Sequence, residues 1–162
     1  MATGDHHDLK ALLSSSTRDF LVRNNGDQVK ISELEGKTIG LYFSASWCPP
    51  CRRSPQKKIL KVIFVSRDRD EESFNAYFSK MPWLAIPFSD SDTLKSLINL
   101  FVKKGIPCLP IISAGGLVLI DNAVKDITAY GAEAYPFTPE RKSELKEIQE
   151  IAKNSVLKIA RR

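Results

Sequence analysis

The five residues Trp47-Cys48-Pro49-Pro50-Cys51 directly follow the apolar run Ile39-Gly40-Leu41-Tyr42-Phe43. This joining of a cysteine pair to a strand-to-helix transition constrains the chain more than any other feature. A thiol attacks as its thiolate, and a cysteine in the first turn of a helix meets unpaired backbone N–H groups and the positive end of the helix dipole. Cys48 is therefore the expected nucleophile. Cys51, one turn further on, reaches back to the same sulfur and is the expected resolving thiol. Pro50 suits the start of a helix, where its missing N–H has no partner to lose, and Pro49 fixes the backbone just before it.

A CxxC pair is also half of many structural zinc sites. Here the chain has three cysteines and the adjacent His6 and His7. There is no second CxxC at finger-like spacing, so zinc is disfavoured. A weaker metal reading is a bridging or iron–sulfur site using Cys48, Cys51 and Cys108 and completed by a second subunit.

Length and composition fit one compact domain. A chain of 162 residues with 43% hydrophobic residues buries a single core of ordinary size. No apolar run approaches the roughly 20 residues of a membrane span, and the start Met1-Ala2-Thr3-Gly4-Asp5 lacks the basic-then-apolar order of a signal peptide. A cytoplasmic or nuclear location is expected, and reducing conditions there favour a catalytic cysteine pair over a structural one. The net charge of +5 is spread among mixed signs and does not call for nucleic acid. One exception is Arg52, Arg53, Lys57, Lys58 and Lys61, cations without an intervening acid, which would favour the Cys48 thiolate and draw acidic partner surfaces.

Periodicity sketches the rest. Asp8 to Leu13 reads as a short amphipathic segment. Phe20–Val22 and Val29–Ile31 flank a turn containing Asn25-Gly26 and predict a β-hairpin. Ile39–Phe43 and Val62–Val65 read as buried strands joined through the active-site helix, a parallel unit. Helices are expected over Asp70–Lys80 and Leu94–Phe101. A second hairpin pairs Leu109–Ile112 with Leu117–Ile120 around Ala114-Gly115-Gly116. The last helix should run from about Pro139 to Ala152, with Thr138 as N-cap. This divides the chain into an N-terminal segment 1–17, a domain 18–153 and a basic C-terminal tail 154–162.

Tyr42-Phe43-Ser44-Ala45-Ser46-Trp47-Cys48-Pro49-Pro50-Cys51 resembles the active-site strand and loop of the thioredoxin superfamily, most of all in its nucleoredoxins and tryparedoxins. Further stretches match in the family's order: Phe20-Leu21-Val22-Arg23, Met81-Pro82-Trp83-Leu84-Ala85-Ile86-Pro87-Phe88, Gly105-Ile106-Pro107, and Tyr130-Gly131-Ala132-Glu133-Ala134-Tyr135-Pro136-Phe137. The last, with Thr138-Pro139-Glu140, looks most like plant nucleoredoxins. The likeness spans about residues 18 to 150.

The resemblance implies an α/β, thioredoxin-like fold with a central mixed sheet flanked by helices. It implies a protein-disulfide reductase that attacks through Cys48, resolves through Cys51 and binds no cofactor. Electrons would come from NADPH through a thioredoxin reductase or similar reductant, and the partners would be disulfide-containing proteins rather than nucleic acid or membrane. In relatives the proline of Gly-Ile-Pro is cis and faces the CxxC motif. That assigns Ile106 and Pro107 to substrate binding, beside Trp47 as an exposed aromatic lid. Trp83 is either a packing residue or part of the same rim.

Three departures from the family pattern matter. The connection from Cys51 to Val62 is shorter than in relatives by roughly ten residues, although a parallel crossover needs only about a dozen in all. This shortened active-site helix opens a rival reading, a redox-linked binding module with little turnover. Cys108 stands where relatives more often have threonine. It is either a buried small residue or a redox modulator able to pair with Cys48 or Cys51. Tyr42 stands six residues before Cys48, where thioredoxins proper carry a buried aspartate, so no carboxylate base is assigned there. Glu71, Glu72 or water remain open as its substitute.

Overall fold

The computed structural model describes residues 7–48, 61–124 and 139–160. In chain order these form α1 (Leu9–Leu13), β1 (Phe20–Val22), β2 (Gln28–Lys30), a 3-10 turn at Ile31–Leu34, β3 (Ile39–Ser44), β4 (Lys61–Ser66), α2 (Glu71–Phe78), β5 (Leu84–Ala85), α3 (Ser91–Phe101), β6 (Ile111–Ile112), β7 (Val118–Ile120) and α4 (Pro139–Ala160). One seven-stranded sheet runs β2-β1-β5-β4-β3-β6-β7. The sheet is mixed: β3 pairs with β4 and β4 with β5 in parallel, and the outer pairs are antiparallel. This is the thioredoxin-like arrangement.

Every residue of β3 is buried, as expected for a strand covered on both faces. Alternation then sorts the side chains. Ile39, Leu41, Phe43, Ile63 and Val65 join one cluster with Leu94 and Leu97 of α3. Tyr42, Val62 and Phe64 join another, with Phe74 and Phe78 of α2 and Leu145 of α4. Successive side chains on a strand point to opposite faces, so the apolar runs Ile39–Phe43 and Val62–Val65 supply two cores.

A largely buried ion pair ties Arg18, ahead of β1, to Asp90 at the start of α3. Arg18 donates from Nη2 to Asp90 Oδ2 at 2.7 Å, and from Nη1 to Phe20 O at 2.7 Å. Asp90 Oδ1 accepts the Thr93 N–H at 3.1 Å and so caps the helix. Burial alone would raise the Asp90 pKa, but the hydrogen bonds from Thr93 and Arg18 outweigh it and hold the carboxyl below its ordinary value.

The structure moves several sequence boundaries. The hairpin strand begins at Gln28 rather than Val29, and Ile31 instead opens the 3-10 turn. Helix α3 starts at Ser91, not Leu94, because Asp90 provides the cap. Leu109 and Pro110 lie outside β6, since Pro110 has no N–H to give a ladder. Helix α4 continues to Ala160, eight residues beyond the expected end, so most of the expected basic tail is helical. Strand β5 follows Pro82-Trp83 with only two residues, too short to leave a periodic signal. The expected shortened active-site helix, the cations Arg52, Arg53, Lys57 and Lys58, the stretch Tyr130–Phe137 and the expected N-cap Thr138 lie outside the described residues.

Candidate active site

The C-terminal ends of β3 and β4 are neighbours, with Ser44 opposite Ser66. In parallel sheets such ends collect polar loops over the edge of the core. Here the loop after β4 grips the loop after β3 residue by residue. Arg67 N–H donates to Ser44 O at 2.9 Å. Asp68 Oδ1 accepts both the Ser46 N–H at 2.9 Å and the Ser46 hydroxyl at 2.6 Å. Its Oδ2 accepts the Ser66 hydroxyl at 3.0 Å. Trp47 Nε1–H donates to Arg67 O at 3.1 Å, and Arg69 Cζ lies 5.6 Å from the centroid of the Trp47 ring. Cys48 N–H closes the turn onto Ala45 O at 3.2 Å.

Trp47 and Cys48 are therefore presented by a pinned loop. Trp47 is 47% exposed while Cys48 is 4% exposed, so the aromatic residue faces solvent and is not a core ring. Cys48 is in a disulfide. Cys51 lies outside the described residues.

The segment carrying Pro107 arrives from the other side of β3. Phe43 N–H donates to Cys108 O at 2.8 Å and Cys108 N–H to Phe43 O at 3.1 Å, an antiparallel bridge at the end of the strand that leads to Cys48. Gly105 enters it at φ +99°, a conformation open to glycine but not to most residues. The Ile106–Pro107 bond is cis. Ile106 O lies 3.9 Å from Cys48 Sγ. A disulfide sulfur has no proton to donate, so this is a close approach and becomes a hydrogen bond only in the dithiol. The structure thus brings Trp47, Cys48 and Ile106-Pro107 together.

Cys108 takes the packing role. It is 5% exposed within the cluster around Phe43, and it is a free thiol. Its Sγ–H points at Phe101 O, 3.8 Å away, and Asp121 O, 3.9 Å away. Burial, reinforced by the negative charge of Asp121, pushes its pKa up to about 11. Alkylation is thiolate-dependent, so iodoacetamide at pH 8 should leave Cys108 unmodified in the native oxidised protein and label it after unfolding. Mass spectrometry reads the difference, and labelling in the native state would contradict this burial.

The other aromatic positions resolve as well. Trp83 is buried against Tyr42, with ring centroids 5.6 Å apart in an edge-on arrangement, and so packs the core and is not part of the rim. Tyr77 OH shares a hydrogen bond of 2.7 Å with Ser44 Oγ. Its pKa rises to about 12, chiefly through burial, so it stays protonated at neutral pH. Glu71 and Glu72 are exposed in the first turn of α2. Among the described residues no group of three or more His, Cys, Asp or Glu is placed to hold a metal ion.

Asp68 was not legible as a site residue. Its only sequence signal is a charged residue two positions past a buried parallel strand, the place where such sheets build sites. Asp68→Ala would leave the Ser46 N–H and two hydroxyls without their acceptor. A loss of roughly 1–3 kcal/mol is expected in a denaturant melt. Asp68→Asn, which keeps an oxygen for Ser46, should recover most of it.

The Thioredoxin-like family model matches residues 36–118. Probable nucleoredoxin 1 of Arabidopsis thaliana is 52% identical over 160 residues, covering 92% of this chain and 28% of that protein. Nucleoredoxin of Mus musculus is 38% identical over 147 residues, covering 83% of this chain and 34% of its own length. Among solved structures, tryparedoxin II from C. fasciculata superposes with a TM-score of 0.72 at 32% identity, covering 80% of this chain and 97% of that one. The chain spans about a third of the length of the curated relatives it matches.

Proposed function

We propose, because this chain belongs to the thioredoxin-like family and to its nucleoredoxin branch, that it is a thiol–disulfide oxidoreductase working as a protein-disulfide reductase. The observation that carries the reading is Cys48 held in a disulfide and facing the carbonyl of Ile106 across 3.9 Å, at the cis bond to Pro107. Cys48 attacks one sulfur of a substrate disulfide, forming a mixed disulfide and releasing the other sulfur as a thiol. Cys51 then attacks Cys48 of the mixed disulfide, freeing the second substrate thiol. Two electrons and two protons pass to the substrate. The chain is left oxidised.

The loop clamp supports this chemistry by holding Trp47 and Cys48 in one geometry before substrate arrives, which lowers the ordering cost of attack. Ile106 offers an extended substrate its backbone beside the sulfur, and Trp47 offers it an aromatic face. Recycling falls to an external reductant, with NADPH acting through a thioredoxin reductase and not on this chain. A cytoplasmic or nuclear setting fits a dithiol that must be kept reduced. Among the described residues no helix is long and apolar enough to cross a membrane.

Insulin-disulfide reduction driven by NADPH and thioredoxin reductase tests the proposal. Turnover by the folded chain is the expected result. A folded chain that captures disulfide partners without turning insulin over would instead favour the binding-module reading.

A further inference from the structure

Cations belong to both segments that flank Cys48. On one flank Arg69 sits over Trp47, its Cζ 5.6 Å from the ring centroid. A guanidinium over an indole face is held by the ring quadrupole. The Trp47 Nε1–H bond to Arg67 O fixes the ring itself, so this cation is oriented and is not a free surface side chain. On the other flank, the exposed Lys103 and Lys104 lead through Gly105 to Ile106, the residue whose carbonyl approaches Cys48 Sγ. Among the described residues none of these three cations forms an ion pair; the pairs present are Arg18 with Asp90 and Arg141 with Glu144.

The acids of the same segments are engaged or set back. Asp68 is buried beneath Ser46 and Ser66. Asp70 accepts the Ser73 N–H at 2.7 Å as the cap of α2. Glu71 and Glu72 are exposed in the first turn of that helix, where its positive end offsets their charge. Asp121 is exposed just past β7. Cations adjoin the docking surfaces directly, while the exposed acids begin at least one residue further along.

We propose that this site prefers disulfides flanked by acidic residues: a protein or peptide segment whose Asp or Glu side chains, within about three residues of the attacked cysteine, meet Arg69 on one side and Lys103 and Lys104 on the other. The inference rests on the reductase reading above. An extended segment advances about 3.3 Å per residue, so those side chains fall within roughly 10 Å of the sulfur. That is comparable with the Debye length of about 8 Å at physiological ionic strength. The attraction therefore acts at this range and weakens with salt. The reaction is the two-electron exchange already described, with the peptide disulfide reduced to two thiols as the chain's dithiol is oxidised.

The test uses three disulfide peptides identical except for Glu, Gln or Lys beside each cysteine. Each is mixed with the full, pre-reduced chain under single-turnover conditions, so no recycling enzyme enters the measurement. At low ionic strength the Glu peptide should react about tenfold faster than the Gln peptide, and the Lys peptide slowest. The Glu-to-Gln ratio should fall toward one in 0.5 M salt, taken as about a 4 Å Debye length. It should fall likewise in the triple variant Arg69→Gln, Lys103→Gln, Lys104→Gln. A ratio compares two rates of one preparation, so partial misfolding of the variant scales both and cannot imitate the effect. Equal rates for the three peptides, or a ratio untouched by salt and by the variant, would overturn the charge preference and leave the reductase reading standing. No reaction with any peptide would overturn both.

Discussion

Cys48→Ser is expected to abolish insulin-disulfide reduction, by on the order of 10³-fold or more, while the reduced variant keeps a folded circular-dichroism spectrum. A serine hydroxyl is not ionised near neutral pH and forms no bond to sulfur that Cys51 could later resolve. The loop that presents residue 48 does not depend on its side chain. Its turn is closed by the Cys48 backbone N–H on Ala45 O, and its neighbours are held by Asp68, Arg67 O and Arg69. The fold should therefore survive the change. Comparison in reductant is essential, because wild type has a disulfide at this position that the variant cannot form. Retained turnover would remove Cys48 from the nucleophile's role.

The largest loss of stability is expected at Phe64→Ala, about 3–5 kcal/mol. Phe64 is fully buried on β4. Its ring lies 5.8 Å from Phe74, 5.6 Å from Tyr77 and 5.9 Å from Phe78, so it is the common contact of three aromatic residues on α2. Truncation removes its own apolar surface from the core and strips each of those rings of a partner. Aromatic pairs contribute about 0.5–1.5 kcal/mol each beyond area burial. Since whole domains are stable by only about 5–15 kcal/mol, a chemical-denaturation midpoint should fall steeply with little change in slope. Ile151→Ala on α4, at a residue 66% exposed, supplies the control and should stay within about 0.5 kcal/mol. A Phe64→Ala cost as small as the control's would mean that α2 is not held by this face.

Much of the fold was legible because its signals are local. The run Ile39–Phe43 is apolar at consecutive positions and too short for an ordinary helix, the pattern of a strand buried on both faces, and β3 is that strand. The segment after Asp70 opened as a helix because a short acid ahead of it accepts the Ser73 N–H. Asp90 does the same for the helix at Ser91–Phe101, but the polar Ser91, Asp92 and Thr93 carry no apolar periodicity, so the sequence pattern starts only at Leu94. Strand β5 was missed for another reason: two residues have no period, and they form a strand only because β4 and β1 lie on either side of them.

The chemistry divides along the same line. From sequence alone came the expectation of a redox pair at Cys48 and Cys51 and the buried strand ahead of it, because thiol spacing and a strand-to-helix boundary are written close together in the chain. The tertiary structure decided what stands around Cys48. It brought Asp68 onto Ser46 across 22 positions and Ile106 onto Cys48 across 58, and it turned the Cys108 thiol toward Phe101 O and Asp121 O. Where the free Cys108 thiol is buried, and which carboxylate holds the loop, depend on strand neighbours far apart in the chain. Spacing along one segment carries no record of those neighbours; the pairing of β3 with β4 and the bridge from Phe43 to Cys108 create them.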